Sequence, residues 1–267
     1  MKKTIYLLPG VGCDETVFQH LELPGYEQVP IHWLPPKKNE PLKEYVKRLA
    51  PQIKKNTEPI FIGLSFGGIV AIELARLVKA YKVIIISSIK THYERPYKMS
   101  LLYLLKFYRF FPAGLFAKYR FWLRWAVGDL NDAEQQLVRD MAERVDLRFN
   151  KWAVDQAIHW QNKEAPGNVV HIHGDSDNIF PHIYIKNYHR IQGGTHFMIV
   201  RHAKQISHII MHELEKKLPL AEPKVMRTEK EKRRQKRGKR KSITRRLYAK
   251  MKRGITRRTL KRKKMRA

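Results

Sequence analysis

Four short apolar runs, at residues 4–8, 59–63, 82–88 and 168–173, restrict the fold open to this chain more than any other feature. Each is unbroken instead of alternating polar with apolar. That is the pattern of a strand covered on both faces, as strands of parallel sheets are. Between them, residues 41–54 and 67–80 carry helical periodicity, so the order reads βαβαβ. The expected architecture is therefore α/β, a mostly parallel sheet with helices on both faces. After residue 88 the strand pattern stops. Residues 91–161 contain no strand-like run and read as several amphipathic helices, and the sheet pattern resumes at 168. A helical insertion between two sheet strands is expected to cap the strands' C-terminal ends, where ligands bind in such folds. A last helix is predicted over 203–217.

At 267 residues and 43% hydrophobic composition the chain can build one sizeable core. Its formal charge of +30 is unevenly spread. Residues 224–267 hold 23 Lys and Arg against Glu229 and Glu231, a balance of +21. The remaining residues are only mildly basic. The division expected is a first core part over 1–90, a helical cap over 91–161, a second core part over 162–218 and a basic tail over 219–267. The single cysteine, Cys13, excludes an internal disulfide and any cysteine-based zinc cluster. No stretch approaches the ~20 apolar residues of a membrane span. The apolar run before Pro9 is about five residues, shorter than the ~7–15 of a leader's apolar region. A cytoplasmic protein is expected, with no metal and no cofactor.

The strongest local motif is Gly63-Leu64-Ser65-Phe66-Gly67-Gly68. It follows an apolar run and opens a helical stretch. A serine on so sharp a strand-to-helix turn needs neighbours two before and two after it that are nearly without side chains, which Gly63 and Gly67 supply. A helix starting at once beyond it aims backbone N–H groups at a developing oxyanion. A phosphate-binding loop is the competing reading of a Gly-rich turn, but no Lys-Ser/Thr pair follows. Because a serine hydroxyl is inert without a base, this turn predicts an acid and a histidine downstream. His173-Gly174-Asp175-Ser176-Asp177 and Gly193-Gly194-Thr195-His196 follow in that order.

With these motifs in place, residues 2–217 resemble the α/β-hydrolase superfamily, specifically its small esterase-like members with a helical cap. The resemblance implies Ser65 as nucleophile and His196 as base. It implies Asp177 as the acid, since the second acid of the family's His-Gly-x-x-Asp-x-x-x-Pro pattern is catalytic. Asp175 then caps the turn, although the two could exchange roles on sequence alone. It further implies an oxyanion hole made by the amides of Phe66 and Val11. The donor loop departs from the family at Pro9, where histidine is frequent. The activity implied is cleavage of a carboxylic ester or thioester through an acyl-enzyme, or acyl transfer by the same three residues.

Substrate choice is expected to rest with the cap. Tyr97, Leu101, Leu102, Leu104, Leu105, Phe107, Phe110, Phe111, Leu115 and Phe116 would line it and favour an apolar acyl or aryl group. The tail is too polar to bury a core. Its charge density suits nucleic acid phosphates or an anionic lipid surface. A non-enzymatic nucleic-acid-binding protein on a hydrolase-like scaffold is therefore the rival reading.

Overall fold

The computed structural model describes residues 3–96, 128 and 130–216. The expected cap residues Tyr97 to Phe116 and the tail 224–267 lie outside the described residues. Six parallel strands form one sheet in the order β2-β1-β3-β4-β5-β6. They are β1 (Thr4–Leu8), β2 (Glu27–Pro30), β3 (Ile60–Leu64), β4 (Lys82–Ile86), β5 (Val169–Gly174) and β6 (His189–Ile191). The helices are α1 (Leu42–Leu49), α2 (Phe66–Leu77), α3 (Asp132–Arg144), α4 (Leu147–His159), α5 (Met198–Arg201) and α6 (Ala203–Glu215).

All five residues of β1, β3 and β4 are buried. The reason is that each strand feeds two cores. Ile5 and Leu7, Ile60 and Ile62, Ile84 and Ile86 point to one face, where α5 and α6 cover them. Tyr6 and Leu8, Phe61, Val83 and Ile85 point to the other, against α1 and α2. The two-residue period of a strand is thus present but invisible as polarity, because both faces are apolar. α1 buries Leu42, Tyr45, Val46 and Leu49, one stripe at helical spacing. The first nine of the twelve residues of α2, Phe66 to Leu74, are all buried. Its one acid there, Glu73, accepts from Trp160 Nε1 at 2.8 Å and pairs with Arg76 at 3.2 Å.

The four predicted strands are found, the first with the predicted ends and the other three with ends shifted by one or two residues. Two further strands, β2 and β6, carry no apolar run and lie at the two sheet edges. Edge strands are short and half-covered, so polar residues and a proline such as Pro30 are tolerated there. In the segment between β4 and β5, the two described helices are α3 and α4. Asn131 and Glu134 form a capping box at the start of α3, and Asp146 caps α4 by accepting from Arg148 N at 2.8 Å. Phe149 and Ala153 seat α4 in the same core as α1 and α2.

The chain leaves β1 toward β2 on one side and returns to place β3 on the other. β1 and β3 therefore flank the point where the strand order reverses, the place where such sheets bind ligands beyond their C-terminal ends. Two close backbone approaches hold that end together. A Cβ on Gly67 would lie 2.0 Å from the Leu8 carbonyl oxygen, and one on Gly174 would lie 2.0 Å from that of Gly194. Because only backbone stands in the way, Gly174→Ala is expected to cost about 3 kcal/mol or to prevent folding. Urea unfolding of the variant beside wild type checks this, and an unchanged midpoint contradicts it.

Candidate active site

Ser65 lies between β3 and α2 with φ 52° and ψ −116°, a conformation that side-chain-bearing residues rarely hold. Its backbone is pinned from both sides. Ser65 N–H donates to the Ile86 carbonyl at 2.9 Å, and Ser88 Oγ donates to the Ser65 carbonyl at 2.7 Å. A Cβ on Gly63 would lie 2.3 Å from the Gly67 oxygen, and one on Gly68 would strike the Ser88 side chain. The glycines are thus required by contact, at the positions the motif predicts. Ser65 itself remains partly exposed.

Asp177 and His196 come from the loops beyond β5 and β6. Asp177 is only 3% exposed. Its Oδ1 accepts from the backbone N–H groups of Ile179 and Phe180, both at 2.8 Å. Its Oδ2 is left for His196 Nδ1 at 2.8 Å, and His196 Nε2 stands 2.9 Å from Ser65 Oγ. A carboxylate can only accept, so Nδ1 carries the proton and Nε2 is free to accept from the serine hydroxyl. Burial pushes the Asp177 carboxyl up. The opposing His196 and His173 rings and the Phe180 amide outweigh it, so the net shift is below the ordinary carboxylate value.

Asp175 is placed elsewhere. Its carboxylate pairs with Arg190 at 2.8 Å and accepts from Gly193 N at 2.8 Å. The Arg190 hydrogen bond is the main reason its pKa is lowered. Together with Ser176 N donating to the Gly194 carbonyl at 2.9 Å, Asp175 zips the acid-bearing loop to the histidine-bearing loop. His173, fully buried, donates from Nε2 to the Phe180 carbonyl at 2.8 Å and lies 3.6 Å from Asp177. Burial is the main reason its pKa is lowered, against the opposing pull of the Asp177 carboxylate.

Above Ser65 lies the loop after β1. A Cβ on Gly10 would be 3.3 Å from Ser65 Cβ, so this loop runs directly over the serine. Neither the Val11 nor the Phe66 amide has a hydrogen-bond acceptor among the described residues. Phe66 is the first residue of α2, where an N–H has no partner within the helix. Cys13 packs against the core beside this loop, and burial, with Asp14 adding to it, pushes its thiol up to about 12. It stays a neutral thiol. Two residues that sequence reasoning missed contact this region. Ser88 left only a weak trace, a serine pair closing an apolar run. Asn150, whose Oδ1 accepts from Gly12 N at 3.1 Å, left none.

No protein-family model and no curated protein sequence matches the chain. Among solved structures it is similar to MenH from S. aureus, with a TM-score of 0.62 and 17% identity over 80% of this chain and 94% of that one. It is similar to an esterase from Exiguobacterium antarcticum, with a TM-score of 0.62 and 12% identity over 80% and 92%. A bromoperoxidase from Bacillus anthracis aligns with a TM-score of 0.58 and 16% identity over 81% and 93%. At such identities the likeness is one of fold, and the chain has the α/β-hydrolase fold. No helix among the described residues is long and apolar enough to cross a membrane.

The depressed Asp177 value has a consequence for stability. Unfolded, the carboxyl titrates near about 3.9, above its folded value. Its stabilisation is therefore complete above about pH 4 and is lost as pH falls through the folded value. Wild type is expected to exceed Asp177→Asn in urea midpoint at about pH 6, with the gap closing toward about pH 3. A gap that stays constant over that range contradicts the assignment.

Proposed function

We propose that the protein is a serine hydrolase that cleaves a carboxylic ester or thioester through an acyl-enzyme on Ser65. One observation carries this reading: Ser65, His196 and Asp177 stand in series at 2.9 and 2.8 Å, with the carboxylate buried and the hydroxyl partly exposed. In the proposed cycle His196 Nε2 takes the Ser65 proton as Oγ attacks the acyl carbonyl. Asp177 holds the imidazole in the required tautomer and stabilises its positive charge. The carbonyl electrons move to oxygen, where the amides of Phe66 and Val11 receive the oxyanion. Collapse expels the alcohol or thiol with the proton from His196. Water, deprotonated by the same imidazole, then releases the acid and restores Ser65.

The apolar residues of the expected cap, Tyr97 to Phe116, support an apolar acyl or aryl substrate. A scaffold without chemistry has no use for a hydroxyl, an imidazole and a buried carboxylate aligned in series. The similarity to the esterase from Exiguobacterium antarcticum agrees with this reading. The tail supplies a separate property, electrostatic attachment to nucleic acid phosphates through residues 224–267.

A fluorophosphonate probe should label wild type and fail to label Ser65→Ala. Lack of labelling in folded wild type would refute the enzyme. Among the carboxylates, Asp177→Asn is expected to lower kcat by about 10⁴. Asp175→Asn should leave kcat within about threefold while lowering stability by about 1 kcal/mol through its lost ion pair with Arg190. Equal kinetic losses in the two variants would overturn the assignment of the acid. In the tail, removal of residues 224–267 should abolish a steep salt dependence of RNA binding. An unchanged salt slope would end the nucleic-acid reading.

A further inference from the structure

The loop over Ser65 is held by a residue far away in the chain, and the proposed chemistry gives that contact a use. Residues 10–13 form a four-residue turn in which Cys13 N–H donates to the Gly10 carbonyl at 3.3 Å. Gly12 occupies the third position with φ +75°, the glycine-dependent geometry of a type II turn. The Val11 N–H belongs to the first peptide of the turn, so its direction follows the seating of the whole turn over Ser65. The bond between Cys13 and Gly10 closes the ends of the turn but does not tie it to the rest of the chain. The close packing of Gly10 on Ser65 fixes only its first residue.

The Gly12 N–H supplies that tie. It donates to Asn150 Oδ1 at 3.1 Å, 138 residues along the chain. Asn150 is the fourth residue of α4, a helix position where asparagine is a poor former and where alanine or leucine would serve the helix better. Such a local conflict calls for a tertiary reason. The arm that carries it is rigid. Phe149 stacks on Trp33 at 5.2 Å and packs against Phe66, and Trp152 Nε1 donates to the Glu40 carbonyl at 2.8 Å. A second contact grips the far end of the same loop. Arg144, the last residue of α3, donates from Nε to Asp14 Oδ2 at 2.5 Å, and Asp14 in turn accepts from Thr16 N at 3.0 Å.

We propose that Asn150 is a positioning residue for the oxyanion site: by accepting the Gly12 N–H it anchors the turn that carries the Val11 amide above Ser65. The inference rests on the serine-hydrolase reading and adds a coupling to it. Donor geometry at the reacting centre depends on how the helices between β4 and β5 are seated. Solvent water could also accept the Gly12 N–H, but a water is not fixed to α4 and so would not anchor the turn. Asn150 touches neither substrate nor Ser65 in this scheme and acts through the turn alone.

The test uses full-length Asn150→Leu, which keeps the shape and removes the acceptor. Asn150→Ala, which favours the helix, serves as a second loss variant. Hydrolysis of p-nitrophenyl butyrate and the rate of fluorophosphonate labelling are followed beside the urea midpoint. Both variants should fold, with kcat and the labelling rate reduced in parallel by about tenfold or more, since both reactions place an oxygen in the same site. KM should stay within about twofold, because ground-state binding does not use the donor. A folded variant with wild-type kcat and labelling rate would overturn the proposal while leaving the enzyme intact. So would a rise in KM at constant kcat, which would make Asn150 a binding residue. Absence of Ser65-dependent reaction in wild type would remove the serine-hydrolase reading and this inference with it.

Discussion

At Gly67 the first turn of α2 passes so near the end of β1 that a single methyl group would lie 2.0 Å from the Leu8 oxygen and 2.5 Å from that of Pro9. Everything at the C-terminal end of the sheet depends on that approach. It brings the loop after β1 over Ser65, and it does so at the point where the strand order reverses and a cleft must open. A glycine two residues before the serine is needed for the same reason, since Gly63 backs onto the Gly67 carbonyl. The unusual backbone of Ser65 is then enforced from outside, by the Ile86 carbonyl on one side and the Ser88 hydroxyl on the other. Strain of this kind persists only where its surroundings determine it more than once.

The second half of the site is built by another pair of glycines with a different division of labour. Gly174 and Gly194 meet backbone to backbone, and Asp175 ties the two loops with Arg190 and Gly193. Asp177 is thereby freed from structural duty except through Oδ1, which the Ile179 and Phe180 amides hold. Two neighbouring carboxylates of the same type thus have separate work, one half-buried and tied to an arginine, one buried and turned to an imidazole. Spacing in the sequence could not separate them, because both acids sit in the same turn and only the fold decides which faces His196.

The sheet was legible where burial was two-sided. β1, β3, β4 and β5 read directly as unbroken apolar runs, since a strand covered on both faces has no polar residue to interrupt it. β2 and β6 did not, because an edge strand is stabilised by backbone pairing with one neighbour and leaves its side chains free to be polar. The same contrast holds at the site. Gly63, Ser65 and Gly67 are read from one local turn whose geometry lies within five residues. Ser88 and Asn150 act on that turn across 23 and 138 residues, and neither changes the pattern of its own neighbourhood.

That last difference bears on how such a site works as well as on how it is read. A local turn can fix a nucleophile, but an oxyanion site needs two amides from separate strands held at a common distance from one atom. In the proposed mechanism one amide, at Phe66, is fixed by the start of α2 and cannot move without unwinding a helix whose residues Phe66 to Leu74 are all buried. The other, at Val11, belongs to a loop with a glycine in its turn and has no helix to hold it. Its rigidity has to be borrowed. The donors of that rigidity, Asn150 and Arg144, stand on either side of the corner between α3 and α4, and both reach the loop. The accuracy of the site is therefore set by the less regular of its two halves, through contacts supplied by the segment between β4 and β5.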